Sequence, residues 1–210
     1  TLVIFTSDNG PWLSYGEHSG LADPLREGKG TSWEGGVRVP FIARWPGRIL
    51  EGSVNDNPAM TIDLYPTIAG LTKSSLPGHE IDGKDIWPML SGKKDAKSPQ
   101  EAYYIYYANS QLQAVISGAW KLILPHKYRT MAGKRGGKDG IPNGYSSNTI
   151  KEPELYHLKS DVSEKKNLAG EKPEELKRLL ALAEKAYEDL GDGSLKRNGS
   201  GRRPVGRVPK

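Results

Sequence analysis

The sequence predicts an α/β fold, with an α/β segment over residues 1–95, a small α+β domain over 96–192 and a basic tail over 193–210. Three observations predict it. The apolar run Leu2-Val3-Ile4-Phe5 is cut off by Thr6-Ser7-Asp8-Asn9-Gly10-Pro11, the pattern of a buried strand ending in a sharp bend. Short strand-like runs follow the polar stretch Ser91 to Ser98, which reads as a domain boundary. Last comes an amphipathic stretch from Lys172 to Leu190.

Trp12 to Gly36 is a long polar loop rich in glycine, with His18 and Lys29 inside it. A loop of that length within a compact domain is functional or disordered, and its Trp residues and close Gly spacing argue against disorder. Val37 to Trp45 reads as a second buried strand, near an edge because of Pro40. Thr61 to Leu71 reads as a helix that Asp63 caps, which puts Pro66 in the first turn. Asp82-Gly83 is a turn, and Ile86 to Leu90 is a short apolar piece.

Four strands are expected in the small domain: Ala102 to Tyr107, Gln113 to Ile116, Trp120 to Leu124 and Glu154 to Leu158. Ser117-Gly118 turns the middle pair, and Pro125 to Glu152 is a Gly-rich excursion. In the terminal helix Leu176, Leu179, Leu180, Ala183, Ala186, Tyr187 and Leu190 share a face that covers the antiparallel sheet. Pro173 opens this helix, Glu174 and Glu175 suit its N-terminal dipole, and Gly191 ends it.

Composition narrows the chemistry. The absence of Cys excludes disulfides, thiolate metal sites and cysteine nucleophiles. No 18-residue apolar run encodes a membrane span, and no basic-then-apolar leader opens the chain. Residue 1 is already strand-like and is not Met, so the reading expects the start to be missing. The net charge of +5 sits largely in the tail, at Lys196, Arg197, Arg202, Arg203, Arg207 and Lys210. The other 24 basic and 25 acidic residues nearly balance, so the high isoelectric point does not describe the folded body. A basic stretch with Gly, Ser and Pro and no recognition motif reads as a disordered end, and nucleic acid is not an expected partner.

Asp8 and Asn9 offer two oxygen donors where the first strand ends, the ligand type that Ca²⁺ and Mg²⁺ prefer. The same residues also read as a plain turn. Lys29, flanked by Gly28 and Gly30, places an ammonium where backbone and ligand come close, or is a solvated loop lysine. Gly28-Lys29-Gly30-Thr31 is not a phosphate-binding P-loop, because the upstream glycine is missing.

These stretches together resemble the sulfatase family of the alkaline-phosphatase-like superfamily. The matching words are Phe5-Thr6-Ser7-Asp8-Asn9-Gly10, Arg26-Glu27-Gly28-Lys29-Gly30 and Trp33-Glu34-Gly35-Gly36-Val37-Arg38-Val39-Pro40. Asp63-Leu64-Tyr65-Pro66-Thr67, Asp82-Gly83, Trp120-Lys121-Leu122 and Glu154-Leu155-Tyr156 follow in order. The resemblance implies that residues 1–95 are the C-terminal part of a large mixed-sheet α/β sulfatase domain. It implies a sulfuric ester hydrolase in which Asp8 and Asn9 hold Ca²⁺ or Mg²⁺ and Lys29 contacts the sulfate of an aryl or glycan ester. It also implies export to the periplasm or the cell exterior.

The family's nucleophile is a formylglycine made within a Cys/Ser-x-Pro-x-Arg motif, which this chain lacks. Ser75-Leu76-Pro77-Gly78-His79 starts similarly but carries His79 where Arg is needed. The early acidic metal ligands are absent as well. The expectation is therefore a later half of a sulfatase, without turnover and with weak metal affinity on its own. A phosphodiesterase or phosphonate hydrolase of the same superfamily, and a non-catalytic remnant acting as a binding module, stay open as alternatives. His18 is a candidate for reaching the leaving group, or is a surface histidine. His126, Tyr128 and Arg129 are candidates for reading the substrate beyond its sulfate, or pack structurally. Arg26 is a candidate second anion contact, or a partner of Glu27 or Glu34.

Overall fold

The computed structural model describes residues 1–203. In chain order its elements are β1 (Val3–Thr6), α1 (Glu34–Val37), β2 (Phe41–Arg44), α2 (Leu64–Thr72), α3 (Trp87–Leu90), β3 (Tyr103–Tyr107), β4 (Gln111–Ser117), β5 (Trp120–Ile123), β6 (His126–Thr130), β7 (Ser146–Ile150), β8 (Glu154–His157), α4 (Pro173–Asp189), β9 (Gly191–Asp192) and β10 (Arg197–Asn198). They fall into two compact units. One comprises Thr1–Asp8, Val39–Tyr103 and Ser117–Ala119; the other comprises Asn9–Arg38, Tyr104–Ile116 and Trp120–Lys210. The long loop after β1 thus clusters with the small domain and not with the rest of residues 1–95.

In the first unit β1 and β2 pair antiparallel, with Phe5 opposite Ile42. Both strands were expected to be buried. Instead Val3, Phe5 and Ile42 are 53%, 63% and 62% exposed, and among the described residues their ribbon has two strands. The second strand is also shorter than expected. The Val37 and Arg38 N–H groups donate to Trp33 and Glu34 carbonyls and close a helical turn, so pairing begins only after Pro40, which has no N–H.

Asp63 does not cap α2 with its side chain. Its carboxylate is fully buried and accepts from the Met60 N–H (3.0 Å), the Lys84 N–H (2.9 Å), Gln100 Nε2 (3.1 Å) and the Tyr103 hydroxyl (2.7 Å). It thereby ties the start of α2 to the Asp82-Gly83 turn and to β3. Asp63→Ala orphans several of these donors at once, so unfolding in urea should show a loss of about 3 kcal/mol.

The second unit carries the expected four-stranded sheet, in the order β3-β4-β5-β8, with β5 and β8 antiparallel. Helix α4 runs against β5 and buries Leu179, Leu182, Ala183 and Ala186. Leu182 replaces Leu180 in the expected stripe, and Leu180 is 36% exposed. The Gly-rich excursion is partly a hairpin, β6 with β7, in which Tyr128 faces Asn148. The core of the unit gathers Trp33, Ala114, Ile123, Tyr128, Ile150 and Tyr156.

Residues 193–203, which the sequence places in a basic tail, carry local structure. β9 and β10 form a small hairpin, Asp192 accepts from the Leu112 and Leu195 N–H groups (2.8 Å each), and Arg197 pairs with Glu184 while its guanidinium lies over the Tyr187 ring. The remainder of the expected tail, residues 204–210, lies outside the described residues.

Candidate active site

Asp8 ends the first segment of the first unit and is exposed; Asn9 follows it as the first residue of the second unit. From Asn9 onward the site can be described within that second unit. The Gly10 N–H donates to the Gly36 carbonyl at 3.0 Å, and a Cβ on Gly10 would lie 1.8 Å from the Gly35 carbonyl oxygen. Only glycine allows that approach. The Asn9-Gly10-Pro11 bend is thus seated backbone to backbone on the Glu34-Gly35-Gly36 turn, which brings two blocks some 25 residues apart into contact. One residue further on, the Pro11 carbonyl accepts the Lys29 N–H at 2.9 Å. The Lys29 side chain is half-buried, and its Nζ lies 5.3 Å from the centre of the exposed Trp12 ring.

Three consecutive residues of β6 hold the segment around Lys29. The Tyr128 hydroxyl accepts from Arg26 Nη2 at 3.4 Å. Arg129 donates through Nε (2.9 Å) and Nη2 to the Lys29 carbonyl. The Thr130 hydroxyl donates to Glu27 Oε1 at 2.5 Å. Arg26 itself lies 3.5 Å over the face of the fully buried Trp33 and donates to the Glu164 carbonyl (3.0 Å) and the Tyr156 hydroxyl (3.3 Å). It partners neither Glu27 nor Glu34 in these contacts and is spent on the core.

Strand alternation decides the fate of the other β6 candidates. His126, Tyr128 and Thr130 point inward and Lys127 outward. His126 is 4% and Tyr128 6% exposed, so both are packed side chains and not walls of an open cleft. His126 Nδ1 meets the Leu124 carbonyl at 2.7 Å, which makes it the protonated nitrogen, while its buried Nε2 has no hydrogen-bond partner among the described residues. Burial pushes the imidazole below its ordinary value, against the pull of the Leu124 carbonyl and Glu154. A base held below its unfolded value contributes stability above that value and loses it as pH falls. The unfolding free energy should therefore drop more between about pH 7 and about pH 5 in the wild type than in His126→Phe. The excursion does line a shallow cavity of about 290 Å³, but through Met131 and Ala132, facing Leu13 and Leu25 of the long loop. His18 is exposed, on the 3₁₀ turn Leu13–His18, with Glu17 3.6 Å away.

Behind the Lys29 segment lies an ion cluster with no counterpart among the candidates read from the sequence. Lys121 of β5 is fully buried, with Nζ 2.9 Å from Glu34 Oε1 and 2.9 Å from Glu164 Oε1. The Glu34 N–H donates to Glu164 Oε2 at 2.7 Å, and Arg38 approaches Glu34 at 3.6 Å. Two carboxylates share one buried ammonium. Burial raises the Glu164 carboxyl above the usual carboxylate range even though Lys121 pulls it down. The cluster locks the Trp33-Glu34-Gly35-Gly36 turn to the sheet.

The donor chemistry at the strand end suits a hard cation, but the number of donors does not complete a site. Among the described residues no group of three or more His, Cys, Asp or Glu side chains is placed to hold a metal. Ca²⁺ takes about six to eight oxygens, and Asp8 and Asn9 supply two side chains. No helix among the described residues is long and apolar enough to cross a membrane.

Comparison with known proteins gives consistent results. The family model described as Sulfatase matches residues 1–74, and that described as the C-terminal region of aryl-sulfatase matches residues 98–197. Human arylsulfatase A is 37% identical over 193 residues, which is 87% of this chain and 37% of that protein. Mouse steryl-sulfatase is 42% identical over 131 residues, 58% of this chain and 21% of that protein. The crystal structure of the PsFucS1 sulfatase from Pseudoalteromonas superposes with a TM-score of 0.69 at 29% identity, covering 88% of this chain and 37% of that one. The chain therefore spans well under half the length of these relatives, and its mixed α/β architecture is that of their C-terminal region.

Proposed function

This chain belongs to the sulfatase family, and on that premise we propose that it forms the C-terminal part of a sulfuric ester hydrolase acting on sulfate monoesters. The observation that carries the reading is the placement of Lys29. Its backbone is fixed from one side by Pro11, just past the Asp8-Asn9 step, and from the other by Arg129 of β6.

In this reading Asp8 and Asn9 contribute two of the oxygen ligands of a divalent cation, Ca²⁺ or Mg²⁺, and the other ligands come from sequence outside residues 1–210. When bound, the cation supplies Lewis-acid neutralisation of the sulfate oxygens. The Lys29 ammonium binds a sulfate oxygen as a point charge, orients the ester and stabilises charge that builds on the group during cleavage. No residue here serves as nucleophile; a formylglycine from outside residues 1–210 fills that role. His18 is a candidate proton donor to the leaving group. Export from the cytoplasm accompanies this reading, which leaves the carbon skeleton of the ester open between aryl, steryl and glycan.

The test is on the full-length protein. Asp8→Ala should lower its Ca²⁺ content and reduce hydrolysis of a small aryl sulfate by at least about 10²-fold. Full metal content with full turnover in that variant contradicts the proposal.

A further inference from the structure

The Lys29 carbonyl receives two donors from a single side chain. Arg129 Nε lies 2.9 Å from it, and Nη2 donates to the same oxygen. A guanidinium fork closed on one backbone carbonyl fixes that peptide in position and in plane. The fork is itself fixed, because its carbon sits 4.5 Å from the centre of the Tyr145 ring. Gly30 completes the fit. Its φ is +81°, and a Cβ there would fall 2.3 Å from Arg129 Nη2, so a side chain at residue 30 and the guanidinium compete for one space.

Neighbouring contacts separate this function from general packing. Tyr128 and Thr130 hold Arg26 and Glu27, while Arg129 alone of the three grips the residue that carries the ammonium. From sequence Arg129 is a candidate contact to the substrate. Here its donors are turned to the protein backbone.

We infer that Arg129 is a positioning residue, which acts on the sulfate ester through Lys29 by fixing the peptide from which the ammonium projects. The inference rests on the reading of Lys29 as the sulfate contact. A misplacement of about 1 Å at a reacting centre can cost about 10²-fold in rate. Loss of the fork should therefore appear in turnover, and only while Lys29 is present.

The experiment is a double-mutant cycle in the full-length protein, with kcat and KM measured on a small aryl sulfate beside a thermal melt of each variant. Arg129→Met should lower kcat/KM about 10- to 10²-fold in the wild-type background. In the Lys29→Ala background it should change kcat/KM by less than about twofold, because the coupled partner is already gone. Arg129→Gln, which keeps one donor, should fall between wild type and Arg129→Met; should Arg129→Met fail to fold, the cycle is read on Arg129→Gln. Equal losses from Arg129 substitution in both backgrounds overturn the inference, as does a folded Arg129 variant with wild-type kcat and KM while Lys29→Ala is impaired. Wild-type activity in Lys29→Ala overturns instead the reading of Lys29 on which the inference rests.

Discussion

Lys121→Met lowers the unfolding free energy by about 3–5 kcal/mol at neutral pH. The substitution fits the volume, so the loss is electrostatic. It leaves Glu34 and Glu164 facing each other in a dry interior, where the ammonium had been 2.9 Å from each. The sign of the pH dependence follows from Glu164. Burial already raises its carboxyl, and Lys121 opposes that rise. Without Lys121 the folded-state value climbs further above the unfolded one. A carboxyl raised in this way contributes stability below its unfolded value and loses it as pH rises through the folded value. The deficit of Lys121→Met should therefore shrink as pH falls toward about 5. Urea unfolding at two pH values checks it. The triple variant Lys121→Met, Glu34→Gln, Glu164→Gln should recover much of the loss, since it removes the buried charges together. A loss that does not vary with pH would make the cluster a packing feature.

On the proposed reading, Lys29→Ala in the full-length protein should lower kcat/KM for a small aryl sulfate about 10²- to 10³-fold, the usual cost of removing one preorganised donor from a developing oxyanion. The melting temperature should stay near wild type, because the backbone of residue 29 keeps its bonds from the Lys29 N–H to Pro11 and from Arg129 to the Lys29 carbonyl. Inorganic sulfate should also inhibit the variant more weakly. Lys29→Arg should restore only part of the rate. The guanidinium fork is wider than an ammonium and replaces a point contact with a planar one.

The parts of the candidate site that lie in short words are proposed from sequence. Asp8 and Asn9 stand where an apolar run stops, and Lys29 stands between two glycines in a loop too long to be a mere connection. The four strands and the terminal helix of the small domain were legible for the same reason, since alternation and helical period are local patterns. What escaped was set by distance in the chain or by weak pattern. Lys121 and its carboxylates lie 87 and 43 positions apart, with nothing in their neighbours to mark a buried charge. β7 reads Ser-Ser-Asn-Thr-Ile, with one buried residue, and carries too little apolar alternation to announce a strand. His126 and Tyr128 drew attention as chemistry-bearing residues in a glycine-rich loop. Once that loop is known to contain a strand, alternation alone turns them inward. The stretch from residue 193 reads as disordered because of its charge, yet Arg197 pairs with Glu184 and lies over the Tyr187 ring.

The central claim is that this chain helps to grip the sulfuryl group of a monoester. It is tested most directly by kcat/KM of the full-length protein on an aryl sulfate, set against the phosphate monoester and diester of the same phenol, in excess Ca²⁺. The account predicts that the sulfate is the preferred substrate and that Lys29→Ala erodes its turnover. A phosphodiester turned over faster than the sulfate, or no sulfate turnover under any metal condition, would contradict it.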